Sequence, residues 1–184
     1  MTEGAPRRIV LVGFMAAGKT RVGAALALRL GWEHRDLDLE VERAAGRPVA
    51  EIFAREGEPG FRAREAAATE ALKAAERAVL STGGGWAAQP GLWDRLASGT
   101  FFAWLRVSPS EVLTRVAGQG GSRPLLQTSD PEGRVRELLR ERERFYRRAD
   151  VALDTDGRDP ENICTDLLNL LAARGVAPPP SGSS

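Results

Sequence analysis

The octapeptide Gly13-Phe14-Met15-Ala16-Ala17-Gly18-Lys19-Thr20 constrains this chain more than any other stretch. It fits G-x-x-x-x-G-K-[ST], a loop that wraps phosphate oxygens in backbone N–H groups. The apolar run Ile9-Val10-Leu11-Val12 before it reads as a buried strand. After it, Val22, Leu26 and Leu30 recur at helical spacing. Strand, loop and helix therefore follow in the order such a loop requires. Glycines let the loop turn tightly, and the helix adds the positive end of its dipole. Gly13, Ala16, Ala17, Gly18, Lys19 and Thr20 are the expected nucleotide-binding residues. Lys19 places a charge on the outer phosphates, and the Thr20 hydroxyl can ligate magnesium.

Helical and strand patterns alternate along the rest of the chain. Gly31 ends the first helix, and 32–38 reads as a short second strand leading into an acidic pair. Helices follow at 39–45, 49–55 and from Pro59 onward, an insertion ahead of the strand at 78–82. The patterns continue with a helix at 90–96, a strongly apolar strand at 100–107, a helix to about 116 and a charged helix at 131–148. A short strand at 151–153 and a helix at 160–173 close the sequence. Five strands separated by helices predict an α/β fold, a parallel sheet covered on both faces in three layers. The 184 residues suit one domain over 1–175, with an insertion at about 36–75 and a disordered tail at 176–184. Residues 117–130, rich in Gly, Ser and Gln, read as a mobile lid.

A net charge of +1 gives no reason to expect a nucleic-acid or membrane-surface partner. No apolar run is long enough for a membrane span or a secretory signal, so a cytoplasmic location is expected. Cys164 is the lone cysteine, expected as a small buried hydrophobe, and His34 is the lone histidine, which excludes a histidine cluster.

In such folds ligands bind beyond the carboxyl ends of the strands. The phosphate loop, Asp36 with Asp38, and Gly83-Gly84-Gly85 all follow strand ends and should share one crevice. Two residues apart in an extended segment, Asp36 and Asp38 would face the same side. One could hold a magnesium-bound water and the other take a hydroxyl proton. A capping pair for the following helix fits the same spacing. The glycine triplet suits close backbone approach to a ligand, or a plain turn.

The sequence resembles the shikimate kinases, a P-loop family related to the nucleoside monophosphate kinases. The resemblance is carried by G-F-M-A-A-G-K-T at 13–20, D-L-D at 36–38 and E-I-F-A-R-E-G-E-P-G-F-R-A-R-E at 51–65. It continues through G-G-G at 83–85, R-P-L-L at 123–126 and R-E-R-F-Y at 142–146. It implies a P-loop kinase fold that phosphorylates the 3-hydroxyl of shikimate with ATP and magnesium, usually as a monomer. By the same resemblance Asp38 holds substrate hydroxyls and acts as base, and Asp36 stands behind the magnesium. Arg62 and Arg142 clamp the shikimate carboxylate, and Gly83, Gly84 and Gly85 bring backbone against the substrate. Phe53, Phe61 and Glu65 line or brace that pocket. Arg123 reaches from the lid to the transferring phosphate. Arg115 matches best the arginine stacked on adenine, and Arg158 lies at the adenine end. Arg144-Phe145 stands where the family has proline-leucine, and Trp86 after the triplet either packs in the core or crowds the pocket. A kinase of another small acid such as gluconate remains an alternative, as does a nucleotide-binding protein without kinase activity. A GTPase would need an N-K-x-D motif, which is absent.

Overall fold

The computed structural model describes residues 5–118, 126 and 128–179. Five strands, β1 (Arg8–Val12), β2 (Glu33–Asp36), β3 (Ala78–Ser81), β4 (Thr100–Arg106) and β5 (Val151–Asp154), form one parallel sheet in the order β2-β3-β1-β4-β5. The helices are α1 (Lys19–Leu30), α2 (Leu37–Ala45), α3 (Val49–Ala71), α4 (Leu92–Leu96), α5 (Pro109–Gly118), α6 (Pro131–Tyr146) and α7 (Pro160–Ala172). Among the described residues, no helix is long and apolar enough to cross a membrane.

Period-two alternation splits β1 between two cores. Ile9 and Leu11 point to one face, where Val22, Leu26, Leu30, Ile163, Leu167 and Leu171 pack over the sheet. Val10 and Val12 point to the other, against Leu37, Trp86, Trp93, Leu96 and Tyr146. A small third cluster of Val41, Ile52 and Phe61 joins α2 to α3. The chain leaves β1 for one side of the sheet and returns to its other side at β4, so the crevice opens beside β1.

Several expectations need correction. Asp38 lies in α2 and not in an extended segment, because Asp36 caps that helix by accepting the Asp38 N–H at 3.1 Å. The helix expected at 90–96 starts only at Leu92, after a 3-10 turn over Trp86–Ala88. Val176, expected in the tail, is buried against the first core and donates its N–H to the Leu171 carbonyl. By contrast, the break expected ahead of Pro59 is present, at Gly57, whose φ of 67° and ψ of −174° only glycine adopts readily. Most of the segment read as a lid, and residues 180–184 of the tail, lie outside the described residues.

Candidate active site

The phosphate loop joins β1 to α1. Gly13 lies so close to β4 that a Cβ there would meet the Leu105 carbonyl oxygen at 2.4 Å. Ala16 holds a left-handed φ of 58°, unusual without glycine. Lys19 is nearly buried, and its Nζ donates to the Gly13 and Phe14 carbonyls at 2.8 Å each. The ammonium thus closes the loop on itself. At the next position the Thr20 hydroxyl donates to Asp36 Oδ2 at 2.7 Å. Asp36 therefore serves both readings of the acidic pair, capping α2 with one oxygen and meeting the phosphate loop with the other.

Asp38 projects from the first turn of α2 toward the glycine triplet. Burial and the neighbouring Asp36 push its carboxyl above the usual range, against the pull of Lys19 and Arg62. Each glycine of the triplet leaves room for a different group. A Cβ on Gly83 would stand 3.0 Å from Asp38 Oδ1 and 3.1 Å from Glu65 Oε1. On Gly84 it would stand 3.0 Å from the Met15 backbone nitrogen, and on Gly85 2.5 Å from Arg62 Nη2. Carboxylates, phosphate loop and guanidinium thus meet across three consecutive residues that carry no side chain.

Two arginines flank the triplet. Arg142 Nη1 donates to the Gly84 carbonyl at 3.1 Å, and its guanidinium lies 5.4 Å from the Phe14 ring centre. The Tyr146 hydroxyl, one helical turn along, donates to the same carbonyl at 2.6 Å. Burial pushes that phenol up to about 12. On the other side, Arg62 Nη1 donates to Glu65 Oε2 at 2.8 Å, while its Nε and Nη2 reach Glu58 Oε1 at 3.2 and 3.0 Å. Glu65 is fully buried; burial pushes its carboxyl up although Arg62 pulls it down. Its Oε1 accepts no hydrogen bond among the described residues. Phe53 and Phe61 stack at 4.6 Å, with the Arg62 guanidinium 5.2 Å from the Phe61 ring.

A cleft of about 680 Å³ runs from this acidic end to a second cluster of arginines. Its walls include residues 15–20, Asp36, Asp38, Gly83 and Gly84, then Arg115, Arg158 and Pro160. Arg115 donates to the Ala16 carbonyl at 3.0 Å and to Glu111 at 2.8 Å, and also bonds Thr155. Arg158 pairs with Asp166 at 2.6 Å. Gly13, Phe53, Phe61, Arg62, Glu65, Gly85 and Arg142 do not line this cleft; of these, Arg62, Glu65, Gly85 and Arg142 surround its acidic end through the contacts above. Arg123 lies outside the described residues.

The chain matches the family model described as shikimate kinase over residues 15–172. The chain belongs to the shikimate kinase family. The shikimate kinase of Moorella thermoacetica is 44% identical over 168 residues, covering 91% of this chain and 96% of that protein. That of Symbiobacterium thermophilum is 43% identical over 169 residues, covering 91% and 97%. A solved shikimate kinase from Acinetobacter baumannii, in complex with shikimate, superposes with a TM-score of 0.85 at 37% identity, covering 93% of this chain and 95% of its own. Three site residues of this shikimate kinase family member escaped the sequence reading. Phe14 and Tyr146 sat inside quoted motifs with no role, because their partners are distant in sequence. Glu58 carried a local signal, its i,i+4 spacing to Arg62. Trp86 packs in the core, with its indole N–H on Thr69 at 3.0 Å. His34 bonds Ser81 and Cys164 is buried; neither faces the cleft.

Proposed function

We propose that this chain transfers the terminal phosphoryl group of ATP to the 3-hydroxyl of shikimate, giving shikimate 3-phosphate and ADP. One observation carries the reading: Arg62 and Arg142 flank consecutive glycines beside a buried carboxylate and the phosphate loop. Guanidinium forks suit a carboxylate, and carboxylates with bare backbone suit vicinal hydroxyls. An acceptor held by its carboxylate at that end presents a hydroxyl toward the loop.

Phosphoryl transfer depends mostly on positioning and charge neutralisation. The acceptor hydroxyl oxygen bonds to the terminal phosphorus, the bridging P–O bond breaks, and ADP leaves with that electron pair. Asp38, beside Gly83 and raised by burial, takes the hydroxyl proton. Lys19 moves from its loop carbonyls to the outer phosphates, and Gly18 with the start of α1 binds phosphate through backbone. By the family resemblance, Arg123 adds charge at the transferring phosphate. Arg115 and Arg158 with Pro160 hold the base end of the nucleotide.

The Thr20 hydroxyl and Asp36 carboxylate, 2.7 Å apart at the cleft wall, fit magnesium, which takes few protein oxygens and keeps waters and phosphate oxygens. When bound, that ion neutralises phosphate charge. A monomeric enzyme is the state that the family resemblance implies.

The test is ADP release with magnesium-ATP in the presence of shikimate, gluconate, AMP or no acceptor. Stimulation by shikimate alone is expected. Stimulation by gluconate or AMP instead would overturn the acceptor pocket and retain the phosphate-loop chemistry.

A further inference from the structure

Arg62, the acceptor's carboxylate-binding arginine in the reading above, already holds two carboxylates. They differ in kind. Glu65 is fully buried and takes Nη1 at 2.8 Å. Glu58 is 65% exposed and takes both Nε and Nη2 through the single oxygen Oε1. Nη2 is the nitrogen that overhangs Gly85, on the side of the acceptor. The exposed glutamate therefore sits on a donor that an incoming carboxylate needs.

We infer that Glu58 is an internal stand-in for the acceptor's carboxylate: it holds the Arg62 fork and must yield it when the acceptor binds. The inference rests on Arg62 being the acceptor's anchor. The division of labour follows from burial. Glu65 has no access to water and fixes the guanidinium against Gly85 whether or not Glu58 is present. Glu58 has solvent to retreat into, and it starts the helical segment after the Gly57 break, one turn before Arg62. An exposed i,i+4 pair is weak enough to be exchanged for a bidentate partner. A binding site that must first be vacated loses apparent affinity in proportion to the fraction vacated. Glu58 also adds a negative charge at the point where an anion enters, so its removal favours the acceptor twice. The device favours acceptors with a carboxylate strong enough to displace it over neutral polyols, which gain nothing at the fork.

The experiment compares wild type, Glu58→Gln and Glu58→Ala by steady-state kinetics with saturating magnesium-ATP. With shikimate, KM should fall from wild type to Gln to Ala, by roughly two- to fivefold in the Ala variant, from the range of exposed ion pairs. The effect should fall on KM, with kcat no lower than in wild type. With shikimate methyl ester as acceptor, which lacks the anion, the three proteins should share one KM. A KM for shikimate that is unchanged or higher in Glu58→Ala overturns the inference, as does an equal gain with the ester. Absence of shikimate-dependent ADP release in the wild type is a separate result, and it would overturn the functional reading itself.

Discussion

Asp38, like Glu65, sits in an environment that works against its own charge. Burial and Asp36 raise its carboxyl, so the folded state favours the protonated form. An acid raised on folding stabilises the protein fully below its unfolded pKa, and that contribution is lost as pH rises through the folded value. Above that folded value the ionised Asp38 is therefore a burden on stability, one that its proposed role in proton abstraction accounts for. Asp38→Asn should lower kcat by roughly 10²- to 10⁴-fold, the range for a general base. Its thermal midpoint should equal or exceed that of wild type. A midpoint well below wild type would show Asp38 to be structural. The same raised carboxyl predicts that kcat/KM falls on the acid side around a pKa above that of an ordinary aspartate, and that Asp38→Asn lacks this limb in its residual rate. Sequence reading reached Asp38 and Asp36 as a pair, but through an extended geometry that does not exist. The spacing suited either reading, and the capping bond that chose between them depends on where α2 begins.

At the scale of elements, the glycine triplet and α6 are joined by one carbonyl. Gly84 O receives both the Tyr146 hydroxyl and Arg142, so the helix that bears one of the two arginines proposed to hold the acceptor is indexed to the loop that faces the other. Arg144 and Phe145 let α6 run on without proline to Tyr146, which places Arg142 and Tyr146 one turn apart on a shared face. Tyr146→Phe removes a neutral hydrogen bond worth about 1 kcal/mol and keeps the ring on Trp104. It should raise the acceptor KM by roughly fivefold with little loss of stability. An unchanged KM would mean that Arg142 needs no such indexing. Gly85→Ala asks the same of Arg62. Its Cβ would intrude on Nη2, the end of a movable side chain, so folding should tolerate it while the acceptor KM rises about tenfold or more, as an ion pair to the substrate loosens. These contacts were not legible in the sequence. Tyr146 and Gly84 lie 62 residues apart, and nothing local marks either as the other's partner. The phosphate loop was legible because its glycines and lysine specify their own backbone, and the Gly57 break was legible because glycine and Pro59 interrupt a helical period.

For the whole molecule, the division that matters is between the two edges of the sheet. The carboxyl ends of the strands carry the site, and the amino ends carry stability. Arg8, the first residue of β1, shows how the second edge is held. It is 1% exposed, and its guanidinium donates to the carbonyls of Ser98 at 2.7 Å, Ala75 at 3.2 Å and Leu96 at 3.5 Å, to that of Lys73, and to the Thr100 hydroxyl at 3.2 Å. One side chain thus ties the turn after α3 and the segment after α4 to the central strand. In a chain with so many arginines on solvated helices, nothing in the sequence separates Arg8 from the rest. Its carbonyl partners come from segments that only the fold assembles. Burial of an arginine that has no carboxylate partner among the described residues is tolerated here because the donors find acceptors, and desolvation lowers its pKa as expected. Arg8→Met keeps the volume and strips these acceptors of their donor, a loss of about 3 kcal/mol. Urea unfolding should show that loss as a lower midpoint with an unchanged slope. At 25 °C kcat and both KM values should match wild type, because the phosphate loop and Asp36 sit at the opposite ends of β1 and β2. A shifted KM with intact stability would mean that the amino edge steers the site, and that the two edges are not independent.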